Sequence, residues 1–384
     1  MSHTNLKELL LDTLRRNGPL TFERYMALCL YHPEFGYYTQ GEERTGVAGD
    51  YFTSSDLHPV FARLVARQAA EMWNAMGCPQ PFTWVEMGAG RGLFAADFLS
   101  WSARALPDFA VALDYVAIEP GSAQRQRIEA RLGELGMVGR VRLLATLEEL
   151  APITGCFFSN ELVDAFPVNV VTRTGGRLKE IYVTAEGDGL AEKPGPISDS
   201  AVAAYVARYA PQLEEGHRLE VNRQAQAWIR AVAQKLTRGY VLTIDYGDMA
   251  NRLYTPDRPR GTLLAYRGHQ AVEDFFAVPG ETDLTAHVNF SALIDAGKAE
   301  GLEFTGFTTQ ERFLLALGEA NQFADVYDPG QTEIEMLQAR LKLKRLISPE
   351  GMGNIFKVLV QQRGVPEAEL TGWRFEKQEP GVRS

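Results

Sequence analysis

Cysteine is scarce in this chain. Cys29, Cys78 and Cys156 lie far apart among 384 residues, and no two of them form a C-x-x-C pair. A sparse, odd set makes no disulfide framework and removes zinc–thiolate sites, so a reducing compartment and no metal are expected. Long apolar runs are missing too. No stretch reaches the roughly 18 residues a membrane-spanning helix needs, and residues 1–16 are amphipathic and charged, without the apolar segment of a signal peptide. A cytoplasmic protein with no membrane insertion is the expectation. There is no excess of basic residues: 39 Lys and Arg against 49 Asp and Glu leave a formal net charge of −10. That balance argues against bulk binding of nucleic acid. No internal repeat or low-complexity tract is present. The remainder, 45% hydrophobic and 23% charged, is ordinary globular composition.

The most informative stretch is Trp84-Val85-Glu86-Met87-Gly88-Ala89-Gly90-Arg91-Gly92, followed by helical periodicity from Leu93 to Leu99. It reads as a strand, a tight glycine turn and a helix start. Glycine tolerates positive φ and lets a bound group approach the backbone, while a helix N-terminus offers unpaired N–H groups and a positive dipole end. A dinucleotide fingerprint would need a third glycine where Leu93 stands. The G-x-G-x-G spacing with Glu86 two residues ahead instead resembles the first motif of S-adenosylmethionine (SAM) methyltransferases. The candidate cofactor-binding residues here are therefore Glu86, Gly88, Ala89, Gly90 and Gly92.

Strand–helix alternation from residue 83 onward predicts a parallel sheet. Strands are expected at 83–87, 115–118, 140–145, 156–159, 240–244, 302–308 and 354–362, with helices over 57–76, 91–105 and 121–135. Residues 5–16 and 21–31 read as two short helices broken by Asn17-Gly18-Pro19, with Thr21 as an N-cap. Segments 168–173 and 178–184 around Thr174-Gly175-Gly176 read as a β-hairpin. Residues 187–200 read as a Gly/Pro/Ser-rich link, with helices at 200–209 and 223–237. The fold class is α/β. A Rossmann-like core over 57–363 carries an N-terminal helical and aromatic arm (1–56), cap insertions at about 168–222, 248–290 and 311–350, and a loosely ordered tail (364–384). Segment 41–50 is glycine-rich, charged and expected to be mobile.

Acidic residues sit where these strands end. Glu119 closes the second strand, 31 residues after Gly88, and a carboxylate there can accept both ribose hydroxyls of an adenosine; about 20 residues is the usual spacing. Asn160, Glu161 and Asp164 follow the fourth strand. They are the candidate catalytic residues, and Asn160 is a candidate for the cofactor as well. For a guanidinium acceptor a carboxylate would hold the ion through bidentate hydrogen bonds. Tyr37, Tyr38, Tyr51 and Phe52 could line a pocket for a cationic side chain. His269 and His287 are the histidines in polar, non-periodic segments and would be the bases for a small-molecule acceptor.

Motifs along most of the chain then converge. Gly18-Pro19-Leu20-Thr21-Phe22, Gly36-Tyr37-Tyr38, Gly49-Asp50-Tyr51-Phe52-Thr53-Ser54, the glycine turn and Asn160-Glu161-Leu162-Val163-Asp164-Ala165-Phe166-Pro167 belong together. So do Asp245-Tyr246-Gly247, Tyr266-Arg267-Gly268-His269, Pro279-Gly280 and Asp283-Leu284-Thr285-Ala286-His287-Val288-Asn289-Phe290. In these blocks the chain resembles the MidA family of SAM-dependent methyltransferases, related to the mitochondrial complex I assembly-factor methyltransferase. The resemblance implies a seven-stranded methyltransferase core with an inserted cap and SAM as cofactor. For the mitochondrial relative it also implies symmetric dimethylation of arginine in a protein, by resemblance a respiratory complex I subunit. Gly88, Gly90 and Glu119 would hold the cofactor, and Glu161 and Asp164 would flank the acceptor. Two positions depart from the family pattern: Ser55-Asp56 stands for an expected proline–glutamate pair, and Asn289 for aspartate. The expected activity is methyl transfer to a protein arginine. A small-molecule methyltransferase and a SAM-binding assembly factor are the alternatives, and the displaced third glycine puts an NAD oxidoreductase well behind them.

Overall fold

The expected apolar runs extend as strands, and most of them stop where a glycine, amide or carboxylate takes over. The computed structural model describes residues 4–40, 54–268, 270–272, 274–348 and 351–375. Tyr51, Phe52, His269 and segment 41–50 lie outside the described residues. The chain divides into two units: Met1–Tyr51, Val163–Trp228 and Gly247–Asp295 form one, and Phe52–Leu162, Ile229–Tyr246 and Ala296–Ser384 the other.

The second unit is built on seven strands: β1 (Phe82–Met87), β2 (Leu113–Ile118), β3 (Val141–Leu144), β4 (Ile153–Asn160), β5 (Leu236–Asp248), β6 (Glu303–Thr309) and β7 (Phe356–Arg363). Their order is β6-β7-β5-β4-β1-β2-β3. Neighbours from β3 to β5 run parallel, and β7 lies antiparallel between β5 and β6. Every residue of β1 is buried, as expected for a central strand covered on both faces. Trp84 packs 4.9 Å from Phe98 and 5.2 Å from Phe158 between ring centroids, and Phe94 lies 4.5 Å from Phe158. This aromatic group pins helix Leu93–Ala105 onto β1 and β4 and so fixes where the glycine turn emerges.

Several boundaries differ from expectation. The 57–76 helix is two pieces, Ser54–Leu57 and Val60–Ala75, because Pro59 has no N–H to continue the first. Residues 311–350, read as a cap insertion, instead supply Phe313, Leu314, Leu317, Val326, Ala339, Leu343 and Leu346 to the same apolar cluster as Trp84 and Phe98. The start of the expected loose tail is anchored in that cluster as well, through Val365, Leu370 and Trp373.

The first unit holds two small sheets. Asn169–Thr174 and Arg177–Glu186 form the expected hairpin, with Gly175 and Gly176 at φ 62 and 71, the two positive values a tight two-residue turn requires. Leu20–Thr21, Gly189–Gly195 and Arg218–Val221 complete that sheet, so the expected link over 187–200 contains a strand. Leu264–Arg267, Gln270–Ala271 and Asp283–Thr285 make the other sheet. Helices Leu6–Asn17 and Phe22–Tyr31 bury Leu6, Leu10, Leu14, Phe22, Tyr25 and Met26. Thr21 caps the second of these helices by accepting from the Arg24 N–H at 3.2 Å.

Candidate active site

The carboxyl ends of β1, β2 and β4 gather the polar residues of the second unit. In open α/β sheets ligands bind beyond these ends, where the strand order reverses; here that point lies between β1 and β4. Gly88 leaves β1 at φ 74 and donates its N–H to the Ile118 carbonyl at 2.9 Å. Gly90 follows at φ 51, and Gly92 donates to the Ala89 carbonyl at 2.9 Å to close the turn. A Cβ on Gly88 would come 2.9 Å from the Leu162 side chain, whereas one on Gly90 would meet no protein atom within 4 Å. Glycine at 88 thus serves the fold, and glycine at 90 keeps a space clear. Ala89 is buried in the apolar cluster.

Glu119 faces this turn. Its Oε2 accepts from the Gly90 N–H and its Oε1 from the Gly121 N–H, both at 3.1 Å. Burial pushes its carboxyl above the ordinary carboxylate value, and the two backbone donors pull it back. An ionised carboxylate offers about four acceptor sites, so these bonds leave room for hydroxyl donors. Glu86 differs from expectation: its carboxylate is buried and accepts from the Tyr115 hydroxyl at 2.7 Å. Burial raises its pKa to about 8. It ties β1 to β2 inside the sheet.

At the end of β4, Asn160 donates from Nδ2 to Glu161 Oε1 at 2.9 Å, and its Oδ1 is buried without a hydrogen-bond partner. Glu161 stands at φ 53, in the left-handed region, where a non-glycine residue persists only when its surroundings hold it. The holding groups are identifiable. The Glu161 N–H donates to the Ile244 carbonyl at 3.0 Å, the Ser54 N–H donates to Oε1 at 2.9 Å and the Tyr246 hydroxyl donates to Oε2 at 3.2 Å. Asp245 completes the brace by accepting from the Leu162 N–H at 3.2 Å and the Tyr246 N–H at 2.9 Å. Strand β5 therefore clamps the turn after β4.

Asp164 belongs to the first unit, where it is buried and accepts from the Thr285 hydroxyl at 2.8 Å. Tyr37 is buried in that unit's core, and Tyr38 donates to Asp283 at 2.6 Å, so both serve packing there. His287 is half-buried and donates its backbone N–H to Thr262 at 3.0 Å. Asn289, one of the departures from the family pattern, caps the next helix by accepting from the Ala292 N–H at 3.2 Å while its amide donates to the Tyr205 hydroxyl at 2.9 Å. The first unit also has a small recess lined by His217, Glu220, Tyr254 and Arg258 among others, and none of the expected site residues lines it.

Comparison with known proteins settles the family. A family profile described as "Putative S-adenosyl-L-methionine-dependent methyltransferase" matches residues 64–308, more than half of the chain. The chain belongs to this family. A crystal structure described as that of a "likely methyl transferase from Burkholderia thailandensis bound to S-adenosyl-homocysteine" superposes with a TM-score of 0.87 at 32% identity over 96% of this chain and 94% of that one. Among curated relatives, the mitochondrial "Protein arginine methyltransferase NDUFAF7 homolog" of Drosophila melanogaster is 28% identical over 96% of this chain and 87% of its own length. The Homo sapiens mitochondrial "Protein arginine methyltransferase NDUFAF7" is 25% identical over 96% and 85%. The cofactor of this SAM-dependent methyltransferase is thus SAM.

The residues present fit that cofactor. Asn160, Glu119 and Gly90 would hold it: the partnerless Asn160 Oδ1 would accept from a ligand donor, Glu119 would have acceptor sites left for hydroxyls, and Gly90 would leave space for a ligand against the backbone. When bound, SAM supplies a methyl group already activated by the sulfonium, so the protein's task is alignment. Tyr246, Ser54 and Asn160 hold the Glu161 carboxylate in one orientation. The expected SAM residues and Glu161 lie in the second unit, and Asp164 in the first. The site residues not foreseen are Ser54, Tyr115 and Tyr246. Asp245-Tyr246-Gly247 stands out in the sequence as a strand end, but the hydroxyl-to-Glu161 bond depends on the pairing of β4 with β5, which no local pattern reveals.

Proposed function

We propose that this methyltransferase transfers methyl groups from SAM to an arginine side chain of a protein, with Glu161 as the carboxylate that receives the guanidinium. The observation that carries this is the immobilised Glu161, oriented through both oxygens at the end of β4. A guanidinium keeps its charge up to a pKa above about 12, so a fixed carboxylate is the natural means of orienting it and localising that charge. Relatives named as protein arginine methyltransferases and aligned over 96% of the chain support the same reading.

In this proposal Gly88, Ala89, Gly90, Gly92, Glu119 and Asn160 line the SAM site, with Glu86 bracing it. A role for Asp164 at the acceptor, and a respiratory complex I subunit as the protein substrate, rest on family resemblance. Mass spectrometry of arginine-containing peptides from cells with and without the protein tests the substrate class. Dimethylarginine that disappears with the gene and returns with wild type but not with Glu161→Ala is expected. Methyl groups lost only from small molecules would overturn the proposal. We further propose a cytoplasmic location, supported by three free thiols, one of them the exposed Cys78. Recovery of the protein in an exported or organellar fraction would refute it.

A further inference from the structure

Helix Glu333–Ile347 of the second unit has two apolar faces. One carries Ala339, Leu343 and Leu346 into the core. The other carries Ile334, Leu337 and Leu341, which are 70%, 56% and 56% exposed. Their spacing of three and four places them in one stripe along the helix. The short helix Met352–Ile355, which packs against it, ends on Ile355 at 50% exposure. Scattered exposed apolar residues are normal, but a contiguous stripe marks an interaction surface.

The charges beside the stripe identify its occupant. Glu333 and Glu335 lie in the first turn, Lys344 and Arg345 in the last, with Lys342 between. The helix is acidic at its start and basic at its end, hence complementary to itself when reversed. We propose that this face pairs antiparallel with the same face of a second copy of the chain, about a two-fold axis level with Leu337 and Gln338. That register sets Ile334 beside the second copy's Leu341, and Leu337 beside its counterpart. On one flank Glu333 faces the second copy's Lys344, about two residues (~3 Å) off level; on the other, Glu335, whose carboxylate also accepts from Thr332, faces its Lys342. A parallel pairing would bring like charges together. An isologous contact of this kind closes on itself as a dimer.

One helix pair buries less than the roughly 1,200 Å² of a standard interface, so the dimer is reversible, with a dissociation constant on the order of tens of micromolar. Sedimentation equilibrium of the full chain from about 1 to 200 μM tests this. The expected result is a monomer–dimer equilibrium that Leu337→Glu weakens at least tenfold. Glu333→Lys and Lys344→Glu should each weaken it several-fold, and the double variant should restore it. All three substitutions fall on exposed side chains, so circular dichroism should show an intact fold. A wild-type protein monomeric throughout this range overturns the proposal, as does dimerisation unaffected by Leu337→Glu. Failure of the charge-swap double variant to recover dimerisation overturns the antiparallel register.

Discussion

The two units put polar side chains beside their strands to different uses. In the first unit Glu220 and Glu180 are buried anchors whose neighbours satisfy them. Glu220 accepts from the Thr262 N–H and hydroxyl and from the Leu263 N–H, and Glu180 accepts from the Asn169 amide and the Ser198 N–H. Glu220 fastens the Thr262–Leu263 connection to its strand, and Glu180 ties its strand to Asn169 of the next one and to Ser198. In the second unit a seven-stranded sheet supplies the stability, and the polar groups at its strand ends are oriented without being used up. Glu119 is held by two backbone donors and Asn160 keeps a partnerless oxygen. A large sheet tolerates unfinished polar groups at its rim; a small one needs its polar groups to hold it together.

The contrast breaks most visibly with Gly90→Val. No protein atom stands within 4 Å of a Cβ there, so the fold should survive while calorimetry shows SAM affinity reduced at least about 100-fold, by backbone strain at positive φ and by the filled space. If the variant binds SAM normally, the turn is not the cofactor site. The reverse experiment is Glu220→Ala. Leaving the Thr262 and Leu263 donors buried and unpaired should cost on the order of 3 kcal/mol in urea unfolding, with SAM affinity unchanged in the folded protein. A loss of affinity without loss of stability would erase the distinction between the units.

Two smaller effects sharpen it. Tyr246→Phe removes one donor to Glu161 and should lower the transfer rate about tenfold, roughly 1.4 kcal/mol, leaving SAM affinity within a few-fold; Glu161→Ala should abolish transfer with the same sparing of affinity. Equal losses of binding and turnover would place Glu161 on the cofactor instead of the acceptor. The last effect concerns Glu86, whose pKa burial raises to about 8. The folded state then binds a proton that the unfolded state releases above its ordinary carboxylate value. Stability from this group is complete below about 4.5, the unfolded value, and drains away as pH rises to about 8. Between pH 6 and 8 the slope is on the order of 1 kcal/mol per pH unit, and Glu86→Gln should flatten it. An unchanged urea midpoint profile would show that Glu86 is ionised throughout.

Local pattern made the core strands legible, because the buried parallel ones Phe82–Met87, Leu113–Ile118 and Ile153–Asn160 are largely apolar runs that end on a glycine, carboxylate or amide. It also made Thr21 legible as a cap and Gly175-Gly176 as a hairpin turn. What escaped was whatever depends on partners far along the chain. Gly189–Gly195 is an edge strand paired on one side only, so Pro194 and two further glycines at its ends are tolerated and disguise it as a linker. The helices of 311–350 look like an insertion in the sequence, yet Phe313, Leu314 and Leu346 belong to the core. Glu86 reads as a ligand-facing carboxylate until the register of β1 against β2 places Tyr115 beside it. That Gly88, Gly90 and Glu119 stand together at strand ends could thus be read from the sequence, while the bracing of Glu161 required the sheet.

The alternation of segments between units governs the order in which the chain can mature on the ribosome. Leu6, Leu10 and Phe22 belong to the same core as Val168, Val170, Ile181 and Val183. At a synthesis rate of about 5–20 residues per second, those arm residues wait on the order of ten seconds or more for that hairpin to be made. The sheet of the second unit waits longer, because β6 and β7 come from the last quarter of the chain. Each unit is interrupted by the other before its own core can close. Nascent chains should therefore carry exposed apolar helices for most of their synthesis and depend on chaperones during that interval. A rearranged chain in which the arm directly precedes residue 163 should relieve the dependence.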